Sequence, residues 1–300
     1  MKATVKKPGK LLDFLLEMMQ TSKKTTARQL LKFNGVKLDG NLEKRANRDI
    51  QPGQVVEINR VEKPVGDSLG PGGRGVRLLY EDEAILVARK PAGLLSIGTD
   101  LEKNKTMHAL LFGYVQANEG GRVYAVHRLD RPVGGVMVFA KTSEAKTDLQ
   151  LNWKDAQKRY VALVAGKPPR PAGRIENWLE EISPQKVVVT DESPRAKFSI
   201  TEYSTRGMKG DHSLLDINLL TGRRHQIRVH MAHLGCPIVG DRVYGTGIQG
   251  SNEIMLFAYS LSFRHPITGK NVTFKADLPK WAARPKKNAA RRSGPRTSRG

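Results

Sequence analysis

The sequence predicts an α+β protein, a mostly antiparallel mixed sheet preceded by a small α/β module. Three observations carry that expectation. From Leu78 to about Trp281, short runs of β-branched and aromatic residues far outnumber helical patterns. Before about Val61, two short amphipathic helical patterns sit beside a hairpin signal. Between them, residues 62–77 include PVGDSLGPGGRG, with no surviving periodicity, and read as a flexible linker.

In chain order, LLDFLLEMM places Leu11, Leu12, Leu15, Leu16 and Met19 on one helical face. Thr25-Thr26 can cap a second helix, ARQLLKF, that ends at Asn34-Gly35. VKLDGN reads as a strand entering an Asp-Gly turn, and DIQPGQVVEINRV as a turn followed by an alternating strand. Beyond the linker, AILVARK, YAVHRL, VMVFAKT, RYVALVAG, KVVVT, LLDINLL and NVTFKAD read as strands. Helices are expected around Thr106–Ala117, Ser143–Trp153 and Arg224–Leu234. The end of the chain, from Ala283, carries seven Lys/Arg and no acid; it reads as a disordered basic tail suited to phosphate.

Charge narrows the partner. Lys and Arg number 51 against 29 Asp and Glu, a formal net charge of +22, so polyanions are attracted and nucleic acid leads. Mean hydropathy is −0.45 and no apolar run approaches the roughly 20 residues of a membrane helix. No signal peptide is evident, and one cysteine, Cys236, cannot form an internal disulfide. The expected location is the cytoplasm, and a monomer is the default.

Two stretches could hold chemistry. In AVHRLDRPVGGVMVFAKT, Asp130 lies at a bend between Arg128 and Arg131, close to His127. Flanking guanidinium groups favour the charged carboxylate, which can act as nucleophile or base. An Asp–Arg pair holding a turn explains an isolated HRLD as well. In LLTGRRHQIRVHMAHLGCPIVGDRVYG, Thr221 can cap a helix that presents Arg224, Arg228 and Met231 on one face and Gln226, His230 and His233 on another. His225, His230 and His233 lack acidic or cysteine ligands in helical register, so no metal is expected. Tyr160, at the start of a strand, can stack on a base or serve as a core aromatic. Lys90 closes a strand before a Pro-Gly turn.

The order of VARKPAGLLS, AVHRLDRPVGGVMVFAKT, KRYVALVAG and TGRRHQIRVHMAHLGCPIVGDRVYG resembles the RluA-type pseudouridine synthases, from about Leu78 to Leu278. Residues 11–61 resemble an S4 RNA-binding domain. The resemblance implies a pseudouridine synthase-like catalytic domain over 78–282, an S4-like domain over 1–61 and a tail over 283–300. It implies Asp130 as catalytic carboxylate, Tyr160 as the residue contacting the target base and Arg228 as the basic partner of the aspartate. Arg128 falls at a position associated with replacing the flipped base. Lys90, His127, Arg131, Arg224, His225 and Gln226 complete the residues expected at RNA.

No metal or organic cofactor is implied. The RNA would be rRNA or tRNA, with no obligate protein partner. The usual Thr-Ser-Gly after the aspartate and two further residues is replaced here by Val133-Gly134-Gly135. Two rivals stand beside isomerisation: a non-catalytic RNA-binding or ribosome-assembly factor, and a glycosylase that releases uracil.

Overall fold

The computed structural model describes residues 1–19, 24–32, 35–58, 75–98, 102, 104–118, 120–245 and 253–283. Its strands and helices follow in chain order: β1 (Lys2–Thr4), β2 (Gly9–Lys10), α1 (Leu11–Met18), α2 (Lys24–Lys32), β3 (Val36–Leu38), β4 (Asn41–Leu42), β5 (Asp49–Ile50) and β6 (Val55–Ile58). Next come β7 (Arg77–Glu81), β8 (Ile85–Lys90), α3 (Met107–Asn118), β9 (Tyr124–Ala125), β10 (Gly134–Ala140), α4 (Ser143–Leu151) and β11 (Gln157–Ala165). The last are β12 (Ala172–Ser183), β13 (Lys186–Thr190), β14 (Lys197–Lys209), β15 (His212–Leu219), α5 (Gln226–His233), β16 (Leu256–Arg264) and β17 (Asn271–Lys275). The chain divides into two compact units, Met1–Lys158 with Ala258–Asp277, and Arg159–Phe257 with Leu278–Gly300.

The start of the first unit has its own core. Val5, Leu11, Leu12, Leu15, Ala27, Leu31, Val36, Leu38, Ile50 and Val56 pack together, so both predicted helices bury their apolar faces within this segment. The β3–β4 hairpin turns at Asp39-Gly40, both in the left-handed region at φ 50° and 83°, the geometry a two-residue hairpin loop demands. The Asp39 carboxylate then accepts from the Val55 N–H at 2.7 Å, tying the hairpin to β6. Helix α2 begins at Lys24, ahead of the predicted Thr25-Thr26 cap, and the predicted stop at Asn34 lies outside the described residues. Most of the predicted linker also lies outside them, but its last residues belong to the fold: Val76 is buried and Arg77 opens β7. The basic tail beyond Ala283 is outside them as well.

The rest of the first unit is a sheet in the order β17-β16-β10-β8-β7, with β9 paired to β10. β10 pairs antiparallel with β8 from Gly135↔Lys90 to Ala140↔Ile85, and all seven of its residues are buried. A strand covered on both faces reads as an unbroken apolar run, as GGVMVFA does. Helix α4 starts where predicted, its Thr142 hydroxyl accepting from the Ala145 N–H at 3.1 Å, a cap contributing about 1 kcal/mol.

In the second unit β13, β12, β14, β15 and β11 follow one another, and the first four make antiparallel ladders. Helix α5 packs through Val229 onto Leu179 and Val187 of the β12–β13 hairpin. Among the described residues no helix is long and apolar enough to cross a membrane.

Candidate active site

In the first unit the stretch around Asp130 is held by its backbone. Val133 donates to the Asp130 carbonyl at 3.0 Å, closing a turn over Arg131-Pro132. The bend is therefore there, while Gly134-Gly135 already belong to β10. Gly135 meets a different need. At φ 143° its missing side chain leaves room for the Ala258 carbonyl, which a Cβ would approach to 2.3 Å.

On either side of Asp130 the backbone is tied to the segment 90–96. The Ser96 hydroxyl donates to the Leu129 carbonyl at 2.6 Å and accepts from the Leu129 N–H at 3.0 Å. Gly93 donates to the Arg131 carbonyl at 2.9 Å, and the Lys90 ammonium donates to that same carbonyl at 3.0 Å. The backbone is thus fixed one position before and one position after the carboxylate.

Lys90 is placed differently from the sequence expectation. It is fully buried, and its ammonium also donates to the carbonyls of Leu94 at 2.6 Å and Pro91 at 3.2 Å. Burial pushes it down to about 7, opposed by the nearby Asp130 charge. Three carbonyl acceptors need three N–H donors, which only the protonated amine supplies. Lys90 is a loop anchor, not a surface cation meeting phosphate.

His127 is likewise no cation. Its ring stacks on Trp153 at 4.5 Å, and its Nε2 accepts from the Val138 N–H at 3.2 Å, so the proton sits on Nδ1. Burial, aided by the charge of Lys158, pushes it down to about 3. Arg131 is exposed and donates through Nε to the Gly93 carbonyl, with Glu102 at 3.5 Å. Arg128 is exposed and has no hydrogen-bond or ion-pair partner among the described residues.

In the second unit, Tyr160 lies on β11 and is buried. The TGRRHQIR stretch folds differently from its prediction. Helix α5 begins only at Gln226, and His225 before it is left-handed at φ 53°. Thr221 does not cap the helix. Its hydroxyl accepts from the Ile200 N–H and donates to the Gln226 side chain, both at 2.8 Å. Gln226 also donates to the Ile200 carbonyl and the Thr201 hydroxyl, and accepts from the Arg223 N–H, each at 2.9 Å. Its amide is saturated inside the protein, so the expected RNA contact is replaced by a clasp on β14. Arg224, ahead of the helix, donates to Glu181 and to the Pro184 carbonyl, with its Nε sealed from solvent. That guanidinium holds the β12–β13 turn. The His225 Nδ1 lies 2.8 Å from the Tyr244 hydroxyl, which accepts from the Val187 N–H at 2.9 Å.

Arg228 is buried, and its guanidinium grips the Asp241 carboxylate: Nε and Nη2 donate to its two oxygens at 2.7 and 2.8 Å. Bidentate pairing fixes a guanidinium in plane as well as in place. Burial works to raise Asp241, but Arg228 and the N–H groups of Val243 and Tyr244 override it and lower it overall. The Arg228 guanidinium also lies 5.0 Å from the Tyr244 ring centroid. Sequence reasoning missed Asp241 and Tyr244. The signal that could have found them is an aspartate after a glycine and ahead of a tyrosine, a pattern able to fold its carboxylate onto nearby backbone N–H groups.

The model of the family described as RNA pseudouridylate synthase matches residues 84–233, which include Asp130, Tyr160 and Arg228. The chain belongs to this family. A pseudouridine synthase is an isomerase acting on RNA, and the excess positive charge suits that substrate. Over 90% of this chain and 86% of its own length, the "Ribosomal large subunit pseudouridine synthase D" of Xanthomonas campestris pv. campestris is 32% identical to it. The protein of the same name from Vibrio cholerae is 35% identical over 68% of each chain. The solved structure "Human RNA Pseudouridylate Synthase Domain Containing 4" is 23% identical over 68% of this chain and 89% of its own, with a TM-score of 0.58, a likeness of fold. The sheet-rich architecture with few helices is thus a pseudouridine synthase fold, as the resemblance implied.

Proposed function

We propose that this synthase isomerises a uridine of large-subunit rRNA, with Asp130 as the reacting carboxylate, Tyr160 as the aromatic that meets the base and Arg228 as the basic member of the set. The support for the target is the extent of likeness to relatives named for the large ribosomal subunit, which spans nearly the whole of both chains. The support for Asp130 is its place in the HRLD motif together with the two backbone ties, at Leu129 and Arg131, that fix its stretch of chain. The target uridine is extruded at a cost of a few kcal/mol, which contacts to the RNA offset. The aspartate then either attacks the sugar or takes a proton from it. The detached uracil turns and rejoins through carbon.

The domain reading follows the sequence: residues 1–61 as an S4-like RNA-binding module, 62–77 as linker, 78–282 as the catalytic domain and 283–300 as a basic tail. Lys24 and Arg28, exposed and one helical turn apart on α2, support an RNA-facing role for the first of these. Reversing both charges is expected to weaken RNA binding several-fold, and unchanged affinity refutes that role.

Pseudouridine mapping of rRNA and tRNA decides the main proposal, in cells lacking the protein and in cells given back the native or Asp130→Asn chain. One or more large-subunit rRNA sites should vanish and return with the native chain alone. Return with Asp130→Asn removes the carboxylate claim. Loss confined to tRNA removes the rRNA target.

A further inference from the structure

One lysine of the first unit combines burial with isolation. Lys158, on β11, is only 8% exposed. Its ammonium lies 5.9 Å from the Trp153 ring centroid, and the same ring stacks on His127. No carboxylate, carbonyl or hydroxyl among the described residues accepts a hydrogen bond from it. Lysines so covered are rare unless paired. His127 cannot serve as the partner, being held neutral with its Nε2 turned to the Val138 N–H. The ammonium nevertheless keeps a path to solvent. Among the described residues the side-chain polar atoms both sealed and unpaired are Nε of Arg224 and Nδ1 of His230. The stem is therefore packed and the head presented.

Such a group is a receptor awaiting an anion. Its rotamer freedom is already restricted by packing, so binding adds little ordering cost. Trp153 has a ring occupied by His127 and Lys158, which leaves charge, not base stacking, as what this cluster offers. A compact ammonium suits a phosphate oxygen as a point charge. His127 begins the His127-Arg128-Leu129-Asp130 run, and Arg128 beside it is exposed. We propose that Lys158, braced by Trp153, holds a backbone phosphate of the RNA substrate next to this run. The proposal rests on the family's RNA substrate and not on the choice of rRNA or of Asp130.

The test measures RNA affinity of the full chain across a salt series. With one phosphate no longer neutralised, Lys158→Gln should flatten the slope of log affinity against log salt by about 0.7–0.9 and weaken binding roughly five- to tenfold near 0.1 M salt. Lys158→Arg should keep the slope. Thermal stability of Lys158→Gln should be equal or higher, since an unpaired buried charge is removed. An unchanged slope in Lys158→Gln overturns the proposal, as does a lowered melting point with native affinity, which marks a structural lysine. Amine acylation of the native chain gives a reading independent of any variant: RNA should protect Lys158, and labelling equal with and without RNA overturns the proposal. Native binding and turnover in the same series keep this outcome separate from that of the Asp130→Asn experiment.

Discussion

The stretch around Asp130 and the stretch around Arg228 are both dense in polar residues, yet they are fastened to different extents. Around Asp130 the backbone is fastened, by Ser96, Gly93 and Lys90, while Arg128 stands exposed with no partner among the described residues. Around Arg228 the side chains themselves are fastened: Gln226 to β14, Arg224 to the β12–β13 turn, His225 to Tyr244, Arg228 to Asp241. A polar residue in a family motif can therefore serve the chemistry directly or serve the scaffold. Saturation of its hydrogen bonds separates the two.

Removing Asp241 breaks the second stretch hardest. Breaking a buried ion pair by deleting one partner costs about 3–5 kcal/mol. Asp241→Ala should lower stability by that order in denaturant titration and reduce turnover even in chains that remain folded. Asp241→Asn keeps an acceptor for Val243 and Tyr244 and should cost less. A fully stable, fully active Asp241→Ala would show that Arg228 needs no clamp, and the contrast between the two stretches would fail.

The two arginines test whether saturation predicts RNA contact. Arg128→Ala should flatten the salt dependence of RNA affinity by about 0.7–0.9 and weaken binding roughly five- to tenfold near 0.1 M salt. Arg224→Ala should leave that slope unchanged and lower stability by about 1–2 kcal/mol, because Glu181 and Pro184 are no longer tied to it. The reverse outcome, a slope change for Arg224 alone, would overturn the rule.

Much of the first unit is legible in the sequence because its elements are local. The Asp-Gly hairpin, the Thr142-capped helix and the all-apolar β10 each follow from a few adjacent residues. The second unit hides more. β12 buries Ile175 and Leu179, four apart as on a helix, among glutamates, so no strand is expected there. β14 inverts the usual alternation: Ser199 and Thr201 are buried while Phe198 is exposed. Those hydroxyls point inward because His230 and Gln226 of α5 meet them, at 3.0 and 2.9 Å. The groups that support the Arg228 stretch are thus the same ones that disguise the strand beneath it. The roles of Lys90, His127, Gln226 and Arg224 depart from expectation for a related reason. A sequence displays a polar side chain but not the carbonyl or N–H that engages it, and here those partners come from segments up to 41 residues away.

A pH test concerns His127, and it asks whether the first stretch is held neutral as well as fastened. The unfolded chain binds a proton near the ordinary histidine value of 6.5, while the folded chain holds off until about 3. Between those values the unfolded state carries more protons, so stability falls as pH drops from 6.5 toward 3, by at most about 1.4 kcal/mol per pH unit for this one group. Above 6.5 the contribution is fully present and flat. His127→Phe preserves a ring for Trp153 and cannot titrate. It removes the acceptor for the Val138 N–H, so it should be less stable than the native chain at neutral pH and lose less as the medium is acidified. Denaturant titrations from about pH 7 down to about pH 4 compare the two slopes. Parallel curves would mean that His127 becomes charged in the folded protein, and the cluster with Trp153 and Lys158 would then have to hold two cations side by side without a counter-ion.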